Sequence, residues 1–315
     1  MKKQLVLLCA ALWLVSCGDE STSKIDTNNT PDDMAGSDSM AEVDIVPTDT
    51  DDTLPDETGD GLLSDEDGLV ANDTDPNCQP GDFPDVCGSW AQVMIFTSTA
   101  NGAGFDVVIV EIRTLSLLTQ RQQGGHLWVD SKMCHIEIIN KTALNPVKIL
   151  MPQSFADALI LLHKEADITI DGNYFQPTYW ELRSVDQTSI GADPSAYELP
   201  TTPDDPRAED WDNNDIKGLT VLINAGFSNG TTHIVQKSSS ELTGVVAGTG
   251  QDQMIGGTVY WTEKQAVLTT DNPLFKTGMQ NIIDESKPNT WQQKRIPAEW
   301  SCTDVTANGG TLFPQ

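Results

Sequence analysis

The residue types and spacings that could support chemistry are clearest in an acidic stretch of the second half of the chain. Asp210, Asp212 and Asn214 place oxygen-bearing side chains at alternate positions, where they can converge on one cation. A twelve-residue calcium loop also needs glycine at its sixth position and glutamate at its twelfth, but this chain has Asp215 and Val221 there. The stretch therefore predicts either a Ca²⁺ site of another type or an acidic loop without metal.

A serine between glycines is the second candidate, at Ser228 in the string GFSNG at 226–230. A nucleophile elbow of that pattern needs a strand, a sharp turn and a helix, with its histidine later in the chain. Here a strand-like run at 231–235 follows at once and already contains His233, the last histidine. The string therefore predicts a hairpin turn. We expect no enzymatic activity, and an exported hydrolase is the less favoured alternative.

The first seventeen residues have the layout of an export signal. A short basic head precedes an apolar core at 5–15, which is short for a membrane span of roughly 20 residues. The segment ends in LVSC at 14–17 and resembles the lipobox of bacterial lipoproteins, which implies a signal peptide at 1–17 and a lipid-acylated Cys17. Because Gly18 follows instead of aspartate, the resemblance also implies anchoring in the outer membrane of the cell envelope. An ordinary secretory signal cut nearby, or an uncleaved anchor, is the alternative.

Residues 18–77 carry much of the formal net charge of −29, with 19 acidic residues against one lysine. They contain no aromatic residue, so they cannot bury enough apolar surface to offset the entropy of ordering. We expect a disordered acidic tether between the anchor and a folded domain at 78–315. The acidic balance argues against nucleic acid as a partner and against electrostatic adhesion to anionic lipid.

One part of the tether, residues 58–77, has a more regular pattern of aspartate and glycine. It resembles the thrombospondin type-3 repeats of bacterial surface proteins, which implies Asp60, Asp65 and Asp67 as Ca²⁺ ligands. There is one repeat only, and residues 57–59 replace the usual aspartate run. An acidic spacer without metal is the alternative.

Four cysteines, Cys78, Cys87, Cys134 and Cys302, lie beyond the proposed lipid acceptor. An even number in an exported domain favours disulfides, and four cysteines allow three pairings. We favour a local Cys78–Cys87 bond and a Cys134–Cys302 bond that joins an early strand to the C-terminal end. Metal binding with a histidine is the alternative, although the chain lacks a Cys-x-x-Cys pair.

The composition from Cys78 onward predicts an all-β domain. Runs rich in Val, Ile, Thr and aromatic residues alternate with Gly, Asn, Asp and Pro. Short turns favour an antiparallel meander that closes into a barrel, with one helix at 153–164 and a β-sandwich as the alternative. The predicted strands are 89–98, 105–119, 126–140, 147–151, 166–170, 179–185, 218–224, 231–237, 242–247, 256–263, 266–270 and 290–296.

The domain opens with Gly88-Ser89-Trp90, which resembles the Gly-x-Trp of the first lipocalin strand. The resemblance implies a lipocalin-like barrel in which Trp90 closes one end and a late arginine, Arg295, packs on it. The acidic tether, the opening tryptophan, the aspartate-rich loop and the final cysteine together resemble uncharacterised lipoproteins of predatory and related soil bacteria. That resemblance implies a fold and a location but no activity.

These patterns favour a membrane-anchored, non-catalytic module. A barrel of about eight strands can hold one small, partly apolar ligand, or it can present its surface to another macromolecule. A structural or adhesive surface protein stiffened by Ca²⁺ is the alternative. Ca²⁺ is also the one cofactor that the sequence suggests.

Overall fold

The computed structural model describes residues 78–102, 105–142, 147–226, 228–277, 279–287 and 289–314, of which 100–102, 105–107, 279 and 280 are described by their backbone only. The predictions for residues 1–77 lie outside these ranges. They are the signal peptide, the lipid acceptor Cys17, the acidic tether and the candidate calcium ligands Asp60, Asp65 and Asp67.

Within the described residues, twelve strands belong to one sheet and two α-helices accompany them. Neither helix is long and apolar enough to cross a bilayer. The elements are β1 (Cys78–Gln79), β2 (Gly88–Gly102), β3 (Phe105–Gln123), β4 (His126–Asn140), β5 (Lys148–Leu150), α1 (Gln153–Ala158), β6 (Leu162–Ile168), β7 (Asn173–Arg183), β8 (Leu219–Asn224), β9 (Asn229–Ala247), β10 (Met254–Thr270), β11 (Met279–Ile283), β12 (Thr290–Arg295) and α2 (Cys302–Leu312).

Eight of these strands pair in a closed ring, in the order β2, β3, β4, β6, β7, β9, β10, β12 and back to β2. Every pairing around the ring is antiparallel. The ring closes along β12 and β2, from Arg295 opposite Trp90 to Thr290 opposite Ile95. Closure pairs strand edges that would otherwise attract other chains. The predicted β-rich, antiparallel fold is confirmed.

Two insertions interrupt the simple up-and-down order. β5 and α1 lie between β4 and β6, and residues 184–218 with β8 lie between β7 and β9. β9 is long enough to pair with β7 through residues 236–245 and with β8 through residues 229–234. β8 in turn pairs with β5, so the two insertions meet.

Side chains on the ring alternate between two apolar environments, as the period of two along a strand requires. On β2, Trp90 and Met94 belong to the main core inside the ring. Their neighbours Ala91 and Val93 belong to a second cluster, which packs against Val305 of α2. The ring therefore has a core inside and a helix covering part of its outer surface.

The predicted helix at 153–164 is wrong beyond Ala158. Leu159 is extended, and β6 begins at Leu162 with a strictly alternating pattern of buried and exposed residues. Pairing of 162–167 with β4 overrides the helical spacing of the leucines. The expectation of one helix was also wrong, because α2 is a second. The breaks predicted at 238–241 and 264–265 lie within the continuous strands β9 and β10.

Both favoured disulfides are present, Cys78–Cys87 and Cys134–Cys302. The first closes a short loop ahead of β2. The second spans 168 positions and ties the start of α2 to β4, so that the helix is held on the outside of the ring. Because each of the four sulfurs is joined to its partner in one of these two disulfides, none of them is a free thiolate that could bind a metal.

Candidate binding cavity inside the strand ring

One end of the ring interior is filled by Trp90, whose side chain is fully buried. Its indole Nε1 donates to the carbonyl of Val86 at 2.9 Å. The guanidinium carbon of Arg295 lies 4.8 Å from the centre of the Trp90 ring, because the two residues are opposite each other on β12 and β2. Arg295 also donates to the carbonyl of Asp85 at 3.0 Å and to the side chain of Gln253 at 2.7 Å. These contacts fix the packing at this end.

Buried amide side chains form the next layer of the interior. Gln120 on β3 donates to Gln293 on β12 at 2.6 Å, over the strand β2 that lies between them. Gln122 accepts the backbone N–H of Val86 at 3.0 Å and donates to two carbonyls at 2.9 and 3.0 Å. Burial raises the pKa of the Tyr174 hydroxyl in the same layer. The interior near Trp90 is therefore filled by side chains, and its polar groups are partly hydrogen-bonded to one another.

Farther along, the interior holds a cavity of about 100 Å³, measured as the space open to the centre of a water molecule. On that measure one water needs roughly 10–15 Å³, so the space exceeds a single water site. Methionine is frequent in its lining, and its flexible thioether adapts to irregular ligands. The apolar lining is Met94, Phe96, Ile112, Met133, Ile136, Ile138, Ile149, Met151, Leu162, Val221, Ile223, Ile234, Trp261 and Val267.

Four charged side chains also line the cavity, and we refer to Lys164, Glu181, Arg183 and Glu263 as the internal charge cluster. Glu181 and Arg183 lie two positions apart on β7, so both point to the same face. Arg183 donates from Nε and Nη2 to the two oxygens of Glu181, each at 2.7 Å. It also donates to the side-chain carbonyl of Gln236. The side chains of Arg183 and Glu181 are only 8% and 15% exposed, so these two residues form a buried, bidentate ion pair.

The other two members of the cluster are not paired in this way. Glu263 accepts a hydrogen bond from the Asn281 amide at 2.7 Å, and burial raises the pKa of Glu263. Lys164 is buried, and its ammonium lies 5.4 Å from the centre of the Tyr179 ring. Burial lowers the pKa of Lys164. Among the described residues no hydrogen bond or ion pair reaches its ammonium.

Glu263→Gln is expected to make the protein less sensitive to rising pH. A carboxyl whose pKa is higher in the folded state favours folding most below its unfolded pKa, about 4.5, and this contribution is lost as pH rises through the folded value. Each unit of difference corresponds to about 1.4 kcal/mol. The free energy of unfolding of the variant relative to wild type should therefore increase above pH 4.5, as measured by urea denaturation across the acid-to-neutral range.

The matched control for that titration is Glu165→Gln, which removes one carboxylate from the exposed face of β6. Parallel pH profiles for wild type and Glu263→Gln would contradict the prediction. Such a result would mean that Glu263 has the same affinity for protons in the folded and unfolded chain.

The acidic loop at 210–215 lies between β7 and β8, outside the cavity lining. The Asp210 carboxylate accepts the backbone N–H groups of Asn214 at 3.2 Å and Asp215 at 2.8 Å, and Asp212 accepts that of Thr220 at 2.9 Å. Asn214 donates to Thr220 at 2.7 Å. The loop thus winds around the Asp210 carboxylate. Calcium binding here stays a prediction, and a Ca²⁺ titration of the thermal midpoint tests it.

One group of three potential metal-ligating side chains is compact enough for an ion within the part of the chain that the structure describes. It consists of Cys78, Asp85 and Cys87. The two sulfurs are joined in a disulfide, so the group does not offer thiolates to a metal.

Ser228 lies in the turn between β8 and β9, which pair antiparallel on either side of it from Asn224 opposite Asn229. The predicted hairpin is therefore confirmed. The Ser228 hydroxyl accepts a hydrogen bond from Asn272 at 2.7 Å, whereas His233 lies 3.5 Å from the Thr220 hydroxyl. The hydrogen bonds of Ser228 and His233 thus involve different partners.

Sequence reasoning missed the internal charge cluster. Glu181 and Arg183 lie in the predicted strand 179–185, and their spacing of two was a usable signal that they share a face. Lys164 was assigned to a helix, which hid its alternation with buried Leu162 and Ala166. Glu263 gave no signal, because charged residues on a strand are mostly exposed.

The chain was also compared with known proteins. No protein family model matches it. No curated protein and no solved structure matches it either.

Proposed function

We propose that the eight-strand ring is a lipocalin-like barrel whose interior binds a small, partly apolar ligand. The observation that carries this proposal is the cavity of about 100 Å³ inside the ring, whose lining combines fourteen apolar residues with four charged and twelve polar ones. Ligand sites commonly combine these two features, since apolar surface supplies affinity and a few polar groups fix orientation. The filled end at Trp90 supports a barrel that opens elsewhere.

The seam between β6 and β7 is the proposed route of access. These strands share only two register pairs, Asp167 with Phe175 and Ile168 with Tyr174. On its other side, in the pairing with β9, β7 has a register shift between Gln176 and Tyr179. This stretch includes Pro177, which cannot donate a backbone hydrogen bond to either neighbour. From Gln176 to Arg183, β7 pairs with β9 only. No backbone pairing therefore joins β6 to this part of β7.

Binding is tested with a neutral, environment-sensitive anthracene dye and purified protein. Ser238 lines the cavity, so Ser238→Phe fills it, whereas Thr243→Phe adds the same ring at an exposed position of β9. We expect wild type and Thr243→Phe to bind the dye equally and Ser238→Phe to lose about tenfold or more in affinity. Circular dichroism checks folding, and Ser238→Leu is the milder substitution.

Two results would overturn the proposal. Wild-type protein could fail to enhance dye fluorescence, which would indicate an interior that apolar molecules do not enter. Alternatively, Ser238→Phe and Ser238→Leu could both fold and bind the dye as wild type does, which would indicate that the dye binds to the outer surface of the ring.

We further propose that this domain acts at the cell envelope, held in the outer membrane by lipid on Cys17. The export signal and its final LVSC string support this location. Cys17→Ser should release the protein from the membrane fraction after cell disruption, and firm membrane association of the variant would contradict the anchor. This result is independent of ligand binding.

A further inference from the structure

We infer that the ligand carries a single carboxylate that pairs with the ammonium of Lys164 inside the cavity. This inference rests on the proposed function, because it names the chemical class that the same cavity would take. Three observations point to Lys164: it is buried, its ammonium makes no hydrogen bond or ion pair among the described residues, and the charged groups around it are hydrogen-bonded to other partners.

Lys164 is only 8% exposed and lies on the interior face of β6 between Leu162 and Ala166, which are also buried. Among the described residues its ammonium makes no hydrogen bond or ion pair; Glu181 attracts it from beyond ion-pair distance, and Arg183 repels it. A buried ammonium that has given up water without gaining a hydrogen-bond acceptor is costly. The ring face of Tyr179 offers partial compensation at 5.4 Å. A ligand anion would supply the missing ion pair.

The other members of the internal charge cluster already have partners. Arg183 is held by both oxygens of Glu181 and by Gln236. Glu263 accepts from Asn281. Lys164 is therefore the one charged group of the lining that makes no hydrogen bond among the described residues, and an incoming anion would meet it without breaking an existing pair.

The surroundings favour one negative charge over two. Glu181 and Glu263 line the same cavity, and each would repel a bound dianion more strongly than a monoanion. The rest of the ligand would contact thioether and aliphatic side chains, such as Met133 on the neighbouring strand β4 and Met151 after β5. This combination describes a small amphiphile with a carboxylate head and an aliphatic tail.

The test compares ligands with one tail and different heads, namely decanoate, 1-decanol and decyl phosphate, as competitors of the neutral dye at neutral pH. We expect wild type to bind decanoate about tenfold more tightly than decanol, as a charge-assisted hydrogen bond provides, and decyl phosphate less tightly than decanoate. Lys164→Met should abolish the preference for decanoate and keep decanol binding. Lys164→Arg should retain the preference.

Lys148→Met is the matched control, since it removes an exposed lysine from β5 and should leave the preference unchanged. If dye and decanol bind but decanoate binds no more tightly, or if Lys164→Met keeps the preference, the carboxylate inference fails while the proposed function stands. If decyl phosphate binds more tightly than decanoate, the inference of a carboxylate ligand is wrong and the cavity favours a phosphate. If no competitor and no dye binds wild type, the proposed function fails first.

Discussion

Trp90→Ala is expected to lower the free energy of unfolding by about 3–5 kcal/mol, the range for removing a buried tryptophan from a core. Trp90 is fully buried at one end of the ring. Its loss would leave a large cavity, deprive the Val86 carbonyl of its indole donor and remove the ring beneath Arg295. Urea denaturation followed by far-ultraviolet circular dichroism measures the change.

Trp128→Ala is the matched control for this substitution. Trp128 lies on β4, is only partly buried and packs edge-on against His126 at 4.6 Å between ring centres. Removal of the Trp128 side chain should lower the free energy of unfolding clearly less than Trp90→Ala does, since water can fill the space that it leaves. If both variants lose the same stability, Trp90 does not act as the packed end of the ring. Trp90→Phe should give an intermediate loss, because it keeps an aromatic ring but not the indole N–H.

The sequence was informative where strands are long and pair with the next strand in the chain. The runs that became β2, β3 and β4 are consecutive, antiparallel and joined by short turns, so alternation and turn residues were enough to predict them. The favoured disulfide pairing, one of three that four cysteines allow, is also confirmed. The partners of β7 and β9 were not predictable in this way, because 45 residues, 184–228, separate two strands that pair side by side.

The second helix, α2, was missed because its residues have low helix propensity. It contains Gly309 and Gly310, and its stability comes from outside the segment. Ser301 and Asp304 form a capping box at its start, and the Cys134–Cys302 disulfide ties it to β4. A Cβ at position 309 would lie 2.7 Å from the Leu115 side chain, so close packing favours glycine there. The capping pair was the one local signal.

The internal charge cluster escaped prediction for a different reason. A charged residue on a strand is normally assigned to the solvent face. On β7 the pairing within the ring turns Glu181 and Arg183 inward, and each becomes tolerable only because the other is there. Such mutual compensation depends on two residues whose inward orientation is set by long-range pairing, so composition and periodicity alone do not reveal it.

Glu181→Gln is expected to destabilise the protein by about 3–5 kcal/mol, because it leaves the Arg183 guanidinium buried without its counter-ion. The remaining carboxyl near Arg183 is Glu263, whose charge favours the protonated guanidinium in the wild type as well. Glu263 would compensate only partly. Burial alone would raise the pKa of Glu181, but the ion pair with Arg183 outweighs it and lowers that pKa in the folded state. The loss should therefore be full above about pH 4.5 and should shrink in more acid solution, where the wild-type Glu181 carboxylate takes up its proton. Urea denaturation at two pH values measures both effects.

Lys141→Gln is the control for an ion pair at the surface. Lys141 lies 3.1 Å from Glu111 but is 45% exposed, so its loss should cost no more than about 1 kcal/mol. The double variant Glu181→Leu with Arg183→Met separates charge from packing, since replacing a whole buried pair by apolar residues is often neutral or stabilising. A double variant as unstable as Glu181→Gln would mean that the geometry of the pair, and not an orphaned charge, holds this part of the cavity together.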